Sequence, residues 1–174
     1  MDKRVECFPG SSAAIHTLRN WSRIVVLWNL ALDQNYGPHL GGCTNCRGVV
    51  TVDHSTTPAT VTPTVDFTAL AYVSKFVEPG AFRIDSTSVS PSAGSPTVAA
   101  ARTSAPQPST FNLPRSTAVL EQVAFRNPDG SIVLLVLNPS DAPASFAIDW
   151  HGQQAPYTLK PQSAATFRWS GKVR

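Results

Sequence analysis

The sequence predicts a two-part fold, an αβ unit followed by an antiparallel β-sandwich, and three observations carry that reading. Apolar residues recur at helical spacing over residues 12 to 21 and again from Val65 to Val77. Between these helices, Ile24 to Leu30 is apolar on both faces, the pattern of a parallel strand buried between two layers. From Ala81 onward the period shifts towards two, with turn residues separating short runs. A content of 15 Pro and 10 Gly with only 14% charged residues agrees with many turns and few long helices.

Each element has its own signal. Ala14, Leu18 and Trp21 share one helical face behind Ser11 or Ser12 as cap, so a short helix precedes the strand Ile24 to Leu30. Asp33 to Arg47 gathers Gly37, Pro38, Gly41 and Gly42 into a long connection that gives way to a β run, Gly48 to Asp53. Thr64 is placed to cap a helix from Val65 to Val77, with Asp66 in the first turn and Pro79-Gly80 as the stop; Phe67, Leu70, Ala71 and Phe76 face inward. Strands follow at Ala81 to Asp85, Val119 to Arg126, Ser131 to Asn138, Ala144 to Trp150, Ala155 to Leu159 and Ser163 to Trp169. Their turns are Asn127-Pro128-Asp129-Gly130, His151-Gly152 and Lys160-Pro161-Gln162. Ile132 to Leu137, apolar on both faces, reads as a central strand. Residues 86 to 118 are Ser, Thr, Pro and Ala with few large apolar side chains, and read as a disordered insertion between two strands.

Composition excludes several classes of function. The net charge of +3 is spread singly along the chain, without the basic run that a nucleic-acid surface needs. No stretch approaches the roughly 20 uncharged apolar residues of a membrane span. The first residues lack the apolar segment of a signal peptide. Cys43-Thr-Asn-Cys46 is a single C-x-x-C without a second ligand pair, and His16, His39, His54 and His151 have no metal-ligand spacing, so neither a metal nor a cofactor is expected. Trp150, Trp169, Tyr157 and Phe167 would suit a sugar-binding face, but their alternation assigns them to the core first.

Several motifs occur together in a telling order. Leu18-Arg19-Asn20-Trp21, Trp28-Asn29-Leu30-Ala31-Leu32-Asp33, Gly37-Pro38 and Gly41-Gly42-Cys43-Thr44-Asn45-Cys46-Arg47-Gly48-Val49-Val50 resemble the last barrel repeat of glycoside hydrolase family 30, the group that includes glucosylceramidases and β-1,6-glucanases. Ala69 to Ile84 resembles the family's closing helix and first sandwich strand, Val123 to Ser131 its sandwich hairpin, and Ala165 to Trp169 its ending. The resemblance implies the last repeat of a (β/α)8 TIM barrel over residues 1–78, and a β-sandwich domain over 79–174 that carries the insertion.

The family is similar in being retaining glycosidases, whose two carboxylates lie about 5 Å apart so that one attacks the anomeric carbon while the other protonates the leaving oxygen. The family's acid/base lies on an earlier strand, and no residue of this chain represents it. Glu6-Cys7-Phe8-Pro9-Gly10 resembles the segment carrying the nucleophile, which makes Glu6 a candidate remnant. Asp2, Lys3 and Arg4 stand where an apolar strand belongs, and the interval to Trp28 is short; the alternative is a terminal carboxylate with no role. Trp28 corresponds to an aromatic presented at the C-terminal end of the eighth strand, where an indole face covers sugar C–H groups, or else it is a core residue. From a regular strand Trp28 and Asn29 cannot both face the pocket. Cys43 and Cys46 flank a loop that rims the cleft in the family, either bridged or as two thiols. Asp33 and Asn45 cap that loop or line its rim.

The resemblance thus implies the C-terminal portion of a secreted or extracytoplasmic β-glycosidase acting on a β-glucoside or a glucosylceramide-type substrate, inactive in isolation and inclined to self-associate through uncovered barrel faces. The rival reading is a non-catalytic β-sandwich module that binds carbohydrate or stabilises a partner domain.

Overall fold

Pro9 sits in the first turn of helix α1 (Phe8–Arg19), where a missing N–H costs nothing, so the helix starts before the cap expected at Ser11 or Ser12. The computed structural model describes residues 8–41, 43–87, 97–100 and 120–171, which fall into two units, Met1–Lys75 and Phe76–Arg174. In the first unit α1 buries Ser11, Ala14 and Ile15 and packs against helix α2 (Val65–Ser74). Trp21 lies past the end of α1 with φ 67° and is exposed, not on the buried face.

Ile24 to Leu30 does not form the strand expected there. The ladder begins at β1 (Ala31–Asp33), and the segment before it alternates instead of being covered on both sides. Ile24, Val26, Trp28 and Leu30 are 71%, 82%, 72% and 74% exposed, while Val25, Leu27 and Asn29 are half-buried. One face is thus half-buried and the other exposed. Asn29, with φ 60°, also breaks the extended backbone two residues before β1.

Strand β1 pairs in parallel with β2 (Val50–Asp53), which pairs antiparallel with β3 (Thr60–Pro63). β3 is a short edge strand ending in Pro, which the sequence pattern hides. Gly48 allows the parallel pair to close: a Cβ there would sit 2.9 Å from the Leu32 nitrogen and 3.0 Å from Ala31 backbone carbons. Thr64 caps α2, its Oγ accepting from the Asp66 N–H at 3.3 Å and lying 2.9 Å from both the Gly48 and Val49 carbonyl oxygens. The helix stops at Ser74, short of Val77. Ala69 is its buried residue, and Phe67, expected inward, is exposed.

The second unit holds two four-stranded sheets. One runs β11 (Ser163–Ser170), β8 (Ser131–Asn138), β7 (Glu121–Arg126), β4 (Phe82–Ile84), antiparallel throughout. The other runs β10 (Gln153–Leu159), β9 (Ala144–Trp150), β6 (Thr97–Ala100), β5 (Ser86–Thr87), in which β6 and β9 are parallel and the remaining pairs antiparallel. Two pieces of the insertion expected to be disordered are therefore strands. Backbone hydrogen bonds to β9 hold β6 without any demand for large side chains. The rest of that insertion, 88–96 and 101–118, lies outside the described residues.

Every residue of β8 is buried, as its two-faced apolar pattern requires. Leu134 and Val136 join Leu120, Ala124, Phe146, Ile148 and Leu159 in a core onto which Ala165, Phe167 and Trp169 pack. Phe167 meets Tyr157 and Phe146 edge to face at 4.9 and 6.1 Å, and Trp150 meets Trp169 at 5.7 Å, so these rings spend their faces on each other. His151 and Gly152, at φ 53° and 83°, supply the two-residue turn between β9 and β10. Two buried asparagines tie loops to the sheet ends. Asn127 Oδ1 accepts from the Glu78 N–H, and its Nδ2 donates to the Phe76 carbonyl and to Ser131 Oγ, each at 3.0 Å. Asn138 Nδ2 donates to the Ala142 and Lys160 carbonyls at 2.8 and 2.9 Å.

Candidate functional site

The first unit carries an open bowl of about 620 Å³ lined by Trp28, Asn29, Leu32, Tyr36, Pro38, His39, Leu40, Gly41, Cys43 and Cys46. It is built from the segment before β1 and the connection after it. The left-handed backbone at Asn29 brings Trp28 and Asn29 onto the same bowl, which a regular strand forbids. Asn29 is held there from both sides: its Oδ1 accepts from the Ala31 N–H at 3.2 Å, and its carbonyl accepts from the Val49 N–H at 3.2 Å.

Asp33 shapes the adjoining turn. Its Oδ1 accepts from the N–H groups of Asn35 and Gly37 at 2.8 and 2.7 Å, and its own N–H donates to the Gly37 carbonyl at 2.7 Å. The bonds from Gly37, then Asn35, hold this carboxyl below the usual aspartate range, with smaller contributions from His54 and His39. Asp33 is therefore spent on the backbone, and it fixes Tyr36 and Pro38 at the bowl's edge. At the other end of the connection, Arg47 Nε pairs with Asp66 Oδ2 at 3.2 Å at the start of α2. Cys43 and Cys46 are joined by a disulfide, with Cα atoms 5.5 Å apart, and both line the bowl.

The bowl's described lining has an exposed indole, a phenol, an imidazole, an amide and apolar carbons, and neither Asp nor Glu. Such a surface can stack on a flat ring and exchange hydrogen bonds with hydroxyls, and among the described residues it holds no carboxyl pair for bond cleavage. Glu6 lies outside the described residues. Asn45 is exposed on the loop without lining the bowl. Tyr36, Pro38 and His39 were not singled out from the sequence as site residues; the aromatic-Gly-Pro-His run is the signal that marks them. No group of three or more His, Cys, Asp or Glu able to hold a metal occurs among the described residues. Among these residues no helix is long and apolar enough to cross a membrane.

Residues 109–167 match the family model of the glycosyl hydrolase family 30 beta sandwich domain. No curated protein matches the chain by sequence. Among solved structures, the endo-beta1,6-glucanase BT3312 is similar at TM-score 0.67 and 24% identity over 97% of this chain and 31% of its own. SrfJ from Salmonella typhimurium is similar at TM-score 0.58 and 23% identity, over 83% of this chain and 26% of its own. The catalytic domain of GH30 xylanase C from Talaromyces cellulolyticus reaches TM-score 0.48 and 20% identity, over 79% and 28%. The chain spans less than a third of the length of each of these structures. The chain is similar to the C-terminal part of glycosyl hydrolase family 30, and the matched residues 109–167 fall within its second unit.

Proposed function

We propose that this chain is the C-terminal portion of a retaining β-glycosidase, in which the Trp28 bowl forms one wall of a sugar cleft and the second unit is the accompanying β-sandwich. Residues 1–78 then correspond to the last repeat of a (β/α)8 barrel. The observation that carries this reading is Trp28 itself, 72% exposed in a bowl whose other groups are aromatic or neutral and polar. Leaving an indole in water is costly unless a ligand or neighbour covers it, and a pyranose offers the flat C–H face that fits. The alternation of Ile24, Val26 and Leu30 supports the barrel part of the reading, since a row of exposed apolar side chains suits packing against further strands. The same row favours self-association of the isolated chain. The substrate is a neutral β-linked glucoside, such as a β-1,6-glucan or a glucosylceramide-type lipid. The disulfide beside Trp28 fits an extracytoplasmic setting.

The test has two parts. The isolated chain is expected to show no hydrolysis of an aryl β-glucoside, because the described lining of the bowl holds neither Asp nor Glu; turnover that disappears in Glu6→Gln overturns this. Gentiobiose, the β-1,6-linked glucose disaccharide, is expected to perturb the fluorescence of the chain and to lose that effect in Trp28→Ala. If the sugar instead acts equally on the Trp28→Ala variant, the bowl is not the site. A non-catalytic carbohydrate-binding module is the second reading, favoured by the absence of Asp and Glu from the described lining. It is supported if binding is strong in the isolated chain and adding the rest of a family 30 barrel brings no turnover.

A further inference from the structure

We infer that the Cys43–Cys46 bridge is a removable wall of the Trp28 bowl, so that a dithiol reductant loosens the rim and weakens whatever the bowl holds. The inference starts from how the loop is tethered. On one side the Asp33 turn ends at Gly37, whose N–H and carbonyl are both engaged. On the other, Arg47 pairs with Asp66, Gly48 is wedged against Ala31 and Leu32, and the Thr64 hydroxyl meets the Gly48 and Val49 carbonyls. Between these anchors, no described residue from Pro38 to Cys46 makes a backbone hydrogen bond. Leu40 is fully exposed, and Gly41 adopts φ 74° with open space around it. The cross-link within that stretch is the disulfide, and both of its half-cystines line the bowl with Trp28 and Leu40.

Accessibility makes the cross-link breakable. Cys43 is exposed and Cys46 half-buried. A bridge over a sequence separation of 3 closes a very short loop, which gains little from chain entropy, and exposed bridges of this kind are among the labile ones. The step is thiol–disulfide exchange. A thiolate of the reductant attacks Cys43 Sγ, the Sγ–Sγ bond breaks, and Cys46 leaves as a thiolate. The second thiol of the reductant then attacks the mixed disulfide and releases Cys43, leaving two protein thiols and a cyclic disulfide of the reductant. Two electrons have passed to the protein, and the two protons end on the two sulfurs.

The loosening is independent of the sugar reading; its effect on ligand rests on that reading, and the experiment separates the two. The full chain is treated with subtilisin, which has no disulfide of its own, with and without dithiothreitol, and the cuts are mapped by mass spectrometry. Cleavage between Pro38 and Cys43 is expected to quicken at least tenfold on reduction, with cuts in the sandwich unchanged. Cys43→Ser/Cys46→Ser is expected to match the reduced chain, and reduction of the unmodified chain decides should that variant fail to fold. Equal cleavage rates overturn the inference. In a parallel titration, gentiobiose is expected to bind the reduced chain at least tenfold more weakly. No binding by the oxidised chain refutes the sugar reading while leaving the proteolysis to decide the loop. Equal binding by both forms, with faster cleavage in the reduced one, refutes the claim that the bridge is a wall of the site.

Discussion

Asn127 is the residue whose loss should tell most about how the sandwich is closed. It is 2% exposed and makes three side-chain hydrogen bonds at 3.0 Å, to Glu78, Phe76 and Ser131. Two of these reach back about fifty positions, joining the segment that leads into β4 to the turn between β7 and β8. In Asn127→Ala all three bonds go, and the Glu78 N–H and Phe76 carbonyl lose their partner. At about 1 kcal/mol for each hydrogen bond, the expected loss is about 3 kcal/mol. For a domain of this size each kcal/mol moves the melting temperature by about 4–8 °C, so the sandwich transition should fall by roughly 12 °C or more. Urea unfolding and thermal melts followed by circular dichroism on the full chain measure both quantities. Asn127→Asp keeps the acceptor for Glu78 but removes both donors, and should be destabilised as well. A cost below about 1 kcal/mol for Asn127→Ala would mean that water replaces the asparagine freely and that this turn is not a tether.

Three further outcomes follow from other positions. Leu134, fully buried in β8, should cost about 2–5 kcal/mol as Leu134→Ala, read from the same melts; a near-neutral result would contradict its place in the core. Gly48→Ala puts a methyl 2.9 Å from the Leu32 nitrogen and should cost about 1–3 kcal/mol through the β1–β2 pair, while the transition of the sandwich stays put; an unchanged melt would show that the backbone yields there. Asp129 is held below the usual aspartate range by Ser131, first through its side chain and then its backbone N–H, with Arg168 adding to this. A lowered folded pKa means the unfolded chain takes up the proton first as pH falls. The stabilisation is thus complete above the ordinary aspartate range, near pH 3.9, and is lost as pH drops through the folded value. Asp129→Asn should flatten the acid limb of melting temperature against pH below about pH 4, and an unaltered limb counts against the assignment.

What the sequence revealed and what it hid divides along physical lines. Ser131–Asn138 was legible to the residue as an apolar run on both faces bounded by turns, and Ala144–Trp150 through side-chain alternation, because such patterns and turn chemistry act within a few positions. The cap at Thr64 was legible for the same reason. β5 and β6 were not, because a strand of Ser, Thr, Val and Ala is held by the neighbour it bonds to, and a neighbour far along the chain leaves no local trace. Ile24 to Leu30 failed in the opposite direction: its apolar pattern states what the segment is suited to lie against, and among the described residues one of those surfaces has no counterpart.

The bowl shows how a single backbone angle can outweigh a pattern. Period-two reasoning forces a choice between Trp28 and Asn29, and for a regular strand that choice is sound. Asn tolerates the left-handed region better than most residues, because its short amide bonds to nearby backbone, here the Ala31 N–H. One φ of 60° thus turns two neighbours towards the same bowl, and the indole face and the amide become available to one ligand together. Asn29→Ala removes both the side-chain bond and the tolerance for that angle. It should therefore weaken gentiobiose binding even though Trp28 is intact, and restoring the angle with Asn29→Gly should recover the stacking contribution without the amide's hydrogen bond. If Asn29→Gly binds no better than Asn29→Ala, the amide, and not the turn it permits, is what the site requires.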